Sequence, residues 1–230
     1  MIKIITSNYD EFHMNDLKTP EIAVSTRDRI LHTAEQLFAE RGIDAVSLRE
    51  ITAAAGVNIA AVHYHFGSKK AVLEELFAIR GGPIADRRLQ LLNQIRRDPQ
   101  GKPVLEDVLR AFLKPALEAP ANPGGTAFVL LRARLAFEQA EVRRAVIGKA
   151  FDVSNREFLR ALRDALPELS ADDLHWRFHF MLGAMVYTMA APGRIESITN
   201  GALDTSDSAA ALAKLVSFAA AGFRDTATPA

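Results

Sequence analysis

Side chains able to bind nucleic acid or a metal are concentrated in two short stretches of this cysteine-free chain of 230 residues. The first is His-Tyr-His at 63–65, followed by Lys69 and Lys70. Such polar, aromatic and cationic tips can reach phosphates or base edges. The second is His175 with His179, four residues apart as in a helical two-histidine metal site. The first stretch therefore suggests nucleic-acid binding and the second suggests metal binding. The residues around each stretch indicate whether that chemistry is plausible.

The surroundings of His175 and His179 argue against a metal. No aspartate or cysteine nearby completes a credible ligand set, and Trp176, Phe178 and Phe180 surround the pair. Histidines of a core or an interface are the favoured interpretation, and a histidine lining a ligand pocket is the intermediate one. We predict no metal site, no cofactor and no catalytic residue.

Two short helical patterns position the first stretch. Ser47 and Glu50 form a capping box, which predicts a helix over 48–55. Gly56 ends it, because glycine adopts the left-handed conformation without a steric penalty. A second helix is predicted over 59–66. Two short helices joined by a tight glycine turn are typical of a helix-turn-helix, whose second helix can enter the DNA major groove.

Residues 26–77 resemble the DNA-binding domain of the TetR family of bacterial transcription regulators. The resemblance rests on RDRILHTAEQLFAERGIDAVSLREITAAAGVN and then AAVHYHFGSKKAVL. It covers about a quarter of the chain. It implies an all-α fold, with an N-terminal three-helix helix-turn-helix head on a larger helical body for ligand binding and dimerisation. An ordinary helix pair in an all-α core is the alternative.

The resemblance also implies which residues contact DNA. Arg49 would touch the backbone or a base edge, and Lys69 a phosphate. His65 either contacts DNA or packs within the head, while spacing alone places Ile59 inside with Val62. The complete predicted set is Arg49, Asn58, Ile59, Ala60, Ala61, His63, Tyr64, His65 and Lys69.

Composition limits the remaining possibilities. The formal net charge is zero, and residues 27–80 carry seven basic and seven acidic side chains, so a basic footprint for DNA must be local. No apolar run is long enough for a membrane span, and residues 1–12 lack the features of a signal peptide. We expect a cytoplasmic protein without a membrane partner.

Four segments are predicted along the chain. Residues 1–24 form a mobile arm, or the natural start lies nearer Met14; residues 25–72 form the DNA-binding domain. Residues 73–225 form the effector-binding and dimerisation domain, and residues 226–230 a tail. Helices are predicted over 26–41, 104–119, 126–139, 141–166, 170–191 and 207–223. A helix from Ser68 is expected to break or kink at 81–83, either as a switch hinge or as an ordinary helix end.

The predicted body contains two sets of mostly apolar residues, and the sequence leaves two alternatives open for each set. One set either closes a solid core or lines an effector pocket: Phe112, Phe128, Leu131, Leu135, Phe158, Trp176 and His179. The other either packs within one chain or pairs two chains as a four-helix bundle, which we favour. It comprises Phe178, Met181, Leu182, Met185, Met189, Leu212, Leu215, Val216 and Ala219.

We therefore predict a homodimeric repressor that binds a palindromic operator in double-stranded DNA. A small apolar or amphipathic effector would release it from DNA. The resemblance favours a fatty acid or an acyl-thioester as this effector. An enzyme built on a helical bundle is the second class, but no catalytic constellation supports it. An adaptor that uses the head as a protein-binding surface is the third.

Overall fold

The chain folds into α-helices throughout the part described by this computed structural model, residues 25–191 and 193–225. The predicted arm at 1–24 and tail at 226–230 lie outside that part. A 3₁₀ turn occupies Ala119–Ala121 and a π turn Arg144–Gly148. The helices are α1 Thr26–Arg41, α2 Leu48–Ala55, α3 Ile59–His65, α4 Lys69–Leu92, α5 Leu105–Glu118, α6 Gly125–Leu135, α7 Ala140–Arg143, α8 Lys149–Ala165, α9 Ala171–Ala190, α10 Gly193–Ile198 and α11 Ser208–Arg224.

Local signals set the helix ends of the head. The Ser47 hydroxyl accepts from the Glu50 N–H, and the Glu50 carboxylate accepts from the Ser47 N–H at 2.8 Å, so the predicted capping box is confirmed. These bonds and the Arg41 guanidinium hold the pKa of Glu50 at about 2. Gly56 ends α2 at φ 63°, in the left-handed region predicted for it. The predicted α1 and α2 therefore match the structure residue for residue.

The predicted break at residues 81–83 is wrong, because α4 runs without interruption from Lys69 to Leu92 with Pro83 inside it. Gly81 is buried, and a Cβ placed there would lie 2.8 Å from Cζ of Phe151. Glycine at this position thus leaves room for an aromatic ring of α8, and it does not bend α4. Packing of α4 against α5 and α8 outweighs the poor helix propensities of glycine and proline.

Two apolar clusters make up the core. The first joins α1–α3 and most of the buried face of α4 to α6 and to Phe151 at the start of α8. The second joins α5, the later part of α8, α9 and α11. The boundary predicted between 72 and 73 stays a prediction, but apolar packing is continuous across it through Val72 and Leu73.

No helix within residues 25–191 and 193–225 has both the length and the apolar character needed to cross a membrane.

Candidate nucleic-acid interface and ligand cavity

α3 presents a polar, aromatic surface and is anchored from beneath. Val62 is fully buried in the first cluster, whereas Tyr64 is 85% exposed and His63 and His65 are exposed on either side of it. The rings of Tyr64 and His65 meet edge to face with centroids 5.1 Å apart. Because the apolar side of α3 packs against the rest of the head, the exposed side chains on its other side are free to contact a DNA groove.

The first turn of α3 divides between surface and core. Asn58 is exposed and caps the helix, because its Oδ1 accepts from the Ala60 N–H at 2.9 Å. Ala60 is also exposed, but Ile59 and Ala61 are half-buried, and Ala61 packs against the first cluster. Structure and sequence spacing agree that this turn does not point wholly outward.

Lys69 has an intramolecular role that the sequence did not suggest. It is half-buried, and its Nζ donates to the carbonyls of Ile43 at 2.9 Å and Val46 at 3.1 Å. These bonds tie the start of α4 to the loop between α1 and α2. The expected phosphate contact of Lys69 can use only the N–H that remains.

Three ion pairs within the head neutralise six of its fourteen charged side chains. Arg27 pairs with Glu75, Arg41 with Glu50 and Arg80 with Glu35. Arg49 is exposed on α2; the Thr52 hydroxyl donates to its backbone carbonyl, but no described residue bonds to its guanidinium group. A neutral head thus still offers Arg49 as an unpaired cation on α2, the helix that precedes α3 and packs against it.

The seven residues predicted to line an effector pocket do not come together. Phe128, Leu131 and Leu135 belong to the first cluster, whereas Phe112 and Phe158 belong to the second. Trp176 and His179 are exposed on α9 and contact each other, with ring centroids 5.9 Å apart. The prediction that these seven residues line one pocket is therefore wrong. The apolar character of a residue does not indicate whether it lies in the first cluster, in the second cluster or on the surface.

The structure instead contains a cavity of about 400 Å³ where α9 ends and α11 begins. Leu117, Met189 and Ile195 contribute apolar walls, and Arg194 and Thr205 contribute polar groups. The cavity includes α10, a helix that the sequence pattern did not predict. Its short length and its position between a proline and a loop made it hard to detect from periodicity.

The stripe predicted at a dimer interface is mostly intramolecular core. Met185 is fully buried and Met181 nearly so, and both pack against α5, α8 and α11 within the same chain. Phe178, Leu212, Leu215, Val216 and Ala219 are buried in the same cluster, and Leu182 and Met189 pack against it half-buried. Burial within one chain therefore favours the intramolecular core for seven of these nine residues.

The opposite faces of α9 and α11 carry exposed aromatic residues. Trp176 stacks on Phe180 with centroids 5.6 Å apart, and Tyr187 lies on the same face of α9. Phe218 is 70% exposed on α11, which packs beside α9. Both His175 and His179 are also exposed, so the core interpretation of these histidines is wrong.

Comparison with known sequences identifies both parts of the chain. Residues 30–76 match the sequence model described as bacterial regulatory proteins of the tetR family. Residues 110–222 match the model described as the tetracyclin repressor-like C-terminal domain. The chain is 34% identical over 92 residues to the HTH-type transcriptional regulator AcrR of Shigella flexneri, covering 40% of this chain and 42% of that protein.

A second relative is the HTH-type transcriptional repressor KstR2 of Mycolicibacterium smegmatis. It is 38% identical over 58 residues, which cover 25% of this chain and 28% of that protein. The matched stretches thus span less than half the length of both curated relatives.

Solved structures share the fold over most of the chain. The fatty acid degradation regulator FadR of Bacillus halodurans aligns with a TM-score of 0.59 at 18% identity, covering 86% of this chain and 96% of that one. The TetR family regulator PfmR of Thermus thermophilus aligns at 0.58 and 20%, covering 89% and 99%. Taken with the two sequence models, this all-α fold shows that the chain belongs to the TetR family of DNA-binding transcriptional regulators.

Proposed function

We propose that this regulator is a cytoplasmic repressor that binds a palindromic operator as a homodimer and leaves it when a small molecule binds the body. The observation that carries the DNA-binding part is α3, with Val62 buried and His63, Tyr64 and His65 exposed. We propose a regulator rather than an enzyme or an adaptor, because the unpaired guanidinium of Arg49 on α2, the helix packed against α3, suits a phosphate or a base edge.

In this proposal α3 lies in the major groove. Asn58 and Ala60 approach the groove first, and His63 and Tyr64 contact phosphates or bases. Arg49 and the remaining N–H of Lys69 contact the backbone. Ile59, Ala61 and His65 lie at the margin of the contact, since the first two are half-buried.

Loss of Arg49 or Tyr64 tests the interface. A duplex selected by the wild-type protein from a random pool serves as probe, and fluorescence anisotropy measures affinity at several salt concentrations. We expect Arg49→Ala to weaken binding and to lower the salt slope by about one unit, as for a single lost phosphate contact. Tyr64→Ala should weaken binding at every salt concentration.

Arg163→Ala is the matched control, because Arg163 is exposed on α8 in the body. It should leave affinity and slope unchanged. Unchanged binding in both head variants contradicts the assignment of α3 and α2.

Dimerisation is proposed through the exposed aromatic faces of α9 and α11. A second copy is the fitting occupant, because a palindromic operator requires a twofold reader and TetR regulators act as dimers. Trp176, Phe180 and Tyr187 on one helix and Phe218 on its neighbour would pair with their twofold mates as a four-helix bundle.

Charge at this face tests the assembly. Phe180→Glu combined with Phe218→Glu should produce a folded monomer in sedimentation equilibrium and reduce operator affinity. Phe137→Glu is the control, since Phe137 is 92% exposed outside α9 and α11. A double variant that stays dimeric rules out this interface.

The cavity beside α10 supports an amphipathic effector, because apolar walls there are combined with Arg194 and Thr205. We propose the fatty acid or acyl-thioester class for it. FadR of Bacillus halodurans, whose fold this chain shares, is described as a regulator of fatty acid degradation.

A further inference from the structure

Two arginines are buried in the body without a carboxylate. Arg88 on α4 is fully buried, and Arg132 on α6 is 8% exposed. Arg88 donates to the Phe112 carbonyl at 2.8 Å and to Sδ of Met185 at 3.4 Å, whereas no hydrogen bond from the Arg132 side chain occurs within residues 25–191 and 193–225. Guanidinium groups stay protonated at neutral pH, so both sites hold buried charge.

Both guanidinium groups lie close to one aromatic ring. Cζ of Arg132 lies 4.9 Å from the ring centroid of Phe151, and Cζ of Arg88 lies 5.7 Å from it and 3.7 Å from that of Phe112. Aromatic faces offset part of the charge, but they accept no conventional hydrogen bond. Nη1 of each arginine is buried without a partner.

This arrangement is unfavourable for the chain alone. Burial lowers the pKa of Arg132 to about 10, and burial together with the charge of Arg132 lowers the pKa of Arg88. Buried charges are ordinarily paired, because an unpaired one loses its hydration without compensation. An anion placed between the two groups supplies the missing partner, since each free Nη1 can donate to an oxyanion.

The apolar surroundings define the rest of the ligand. Met185 contacts Arg88, and Met189, one helical turn later on α9, lines the cavity of about 400 Å³. On α5, Phe112 likewise contacts Arg88, and Leu117, five residues later, lines the cavity. Five residues of helix span about 7 Å, which an alkyl chain bridges once the flexible Met185 side chain moves.

We propose that Arg88 and Arg132 bind the oxyanion head of an amphipathic effector whose apolar tail extends into the cavity beside α10. The inference rests on the proposed effector-responsive function and adds the chemistry of the ligand: a carboxylate or phosphate on an alkyl chain. The ring of Phe151, which lies close to both guanidinium groups, also packs against Gly81 of α4. Binding of the anion therefore acts on the helix that joins the head to the body.

The test measures binding of decanoate, decyl phosphate and uncharged decanol to the full chain by calorimetry and thermal shift. At least one of the two anions should bind more tightly than decanol. Whether decanoate or decyl phosphate binds more tightly shows whether the site prefers a carboxylate or a phosphate head group. Arg88→Met and Arg132→Met should each weaken its binding by about tenfold to a hundredfold, as expected for lost charge-assisted hydrogen bonds. Binding of decanol should change little in either variant.

Arg134→Met is the matched control on the same helix. Arg134 is exposed and donates to the Ala39 and Glu40 carbonyls, so its loss affects the contact with α1 and not the anion. The methionine variants should fold, because an apolar side chain replaces an unpaired buried charge. Arg132→Lys, which keeps the charge but not the fork, should bind with intermediate affinity.

Two results overturn the inference: neither anion binds more tightly than decanol, or the methionine variants bind the anion as tightly as wild type. The wild-type preparation is assayed for duplex binding in parallel. A protein that binds duplex but neither anion overturns the inference alone. Anion binding that leaves duplex affinity unchanged leaves the anion site standing and contradicts release by the effector.

Discussion

Arg80 and Arg88 lie eight residues apart on α4, but their charges are compensated differently. Arg80 donates to both oxygens of Glu35, from Nε at 2.9 Å and from Nη2 at 2.6 Å, and its Nη1 donates to the Pro123 carbonyl. Arg88 has a carbonyl and a thioether as partners, and its buried Nη1 has none. The head end of α4 is thus electrostatically complete, whereas the body end is not.

The difference shows where each part of the molecule depends on an outside partner. Glu35 is buried on α1, so the pair with Arg80 fastens α1 to α4 and keeps the head rigid without a ligand. The buried arginines of the body stabilise a ligand rather than the free chain in our proposal. Substitutions along α4 should therefore have opposite effects on stability at its two ends.

The largest effect is expected for Arg80→Met. It leaves the Glu35 carboxylate, 1% exposed, without its cation, and breaking a buried pair in this way costs about 3–5 kcal/mol. Because Arg80 is itself 30% exposed, the lower end applies. Urea unfolding of Arg80→Met and Arg88→Met measures the contrast, and the second should be neutral or stabilising.

The double variant Arg80→Met with Glu35→Leu is the control, and it should recover much of the loss because no buried charge remains. If Arg88→Met destabilises as much as Arg80→Met, the two ends of α4 do not differ as described.

Gly81 and Gly82, at the junction of the two ends, should respond to alanine with opposite signs. Gly81→Ala places a methyl group 2.8 Å from Cζ of Phe151, so we expect a loss of about 1–3 kcal/mol from overpacking. Gly82 has open space at that position, so Gly82→Ala should gain up to about 1 kcal/mol of helix propensity. Thermal unfolding of the two variants compares them directly, and equal shifts would mean that the Phe151 contact does not matter.

A smaller effect is expected in the head from Ser47→Ala. Loss of the cap on α2 should cost about 1 kcal/mol of unfolding free energy in urea titration. Ser47→Thr is the control and should keep most of it. No change in Ser47→Ala would show that packing, rather than its local cap, holds α2 in place.

The Glu50 side of the same cap carries a pH prediction. Its folded pKa of about 2 lies below the ordinary 4.5, so its stabilising contribution is complete above pH 4.5 and disappears as the pH falls through 2. Glu50→Gln should therefore destabilise relative to wild type at neutral pH, with the difference shrinking below pH 4.5. A difference that is independent of pH contradicts the ionised capping box.

Much of the fold could be predicted from local signals. The caps at Ser47, Ser68 and Asp207 accept hydrogen bonds from the first turns of their helices as the sequence suggests. The continuous α4 could not be predicted, because propensity at 81–83 favours a break and only the rings and helices packed against it oppose that tendency. The DNA-facing residues stay a prediction, although most of them are exposed.

The sequence by itself determined the all-α class and the helix-turn-helix, because caps, a glycine turn and a 3.6-residue period act over a few residues; the family came from the resemblance of residues 26–77 to known regulators. Tertiary structure decided which apolar faces are covered: the stripe with Met185 is core, and the face with Phe180 is exposed. Periodicity marks a face as apolar but does not specify its partner. The same holds for charge, since Arg80 meets a glutamate 45 residues away and Arg88 meets none.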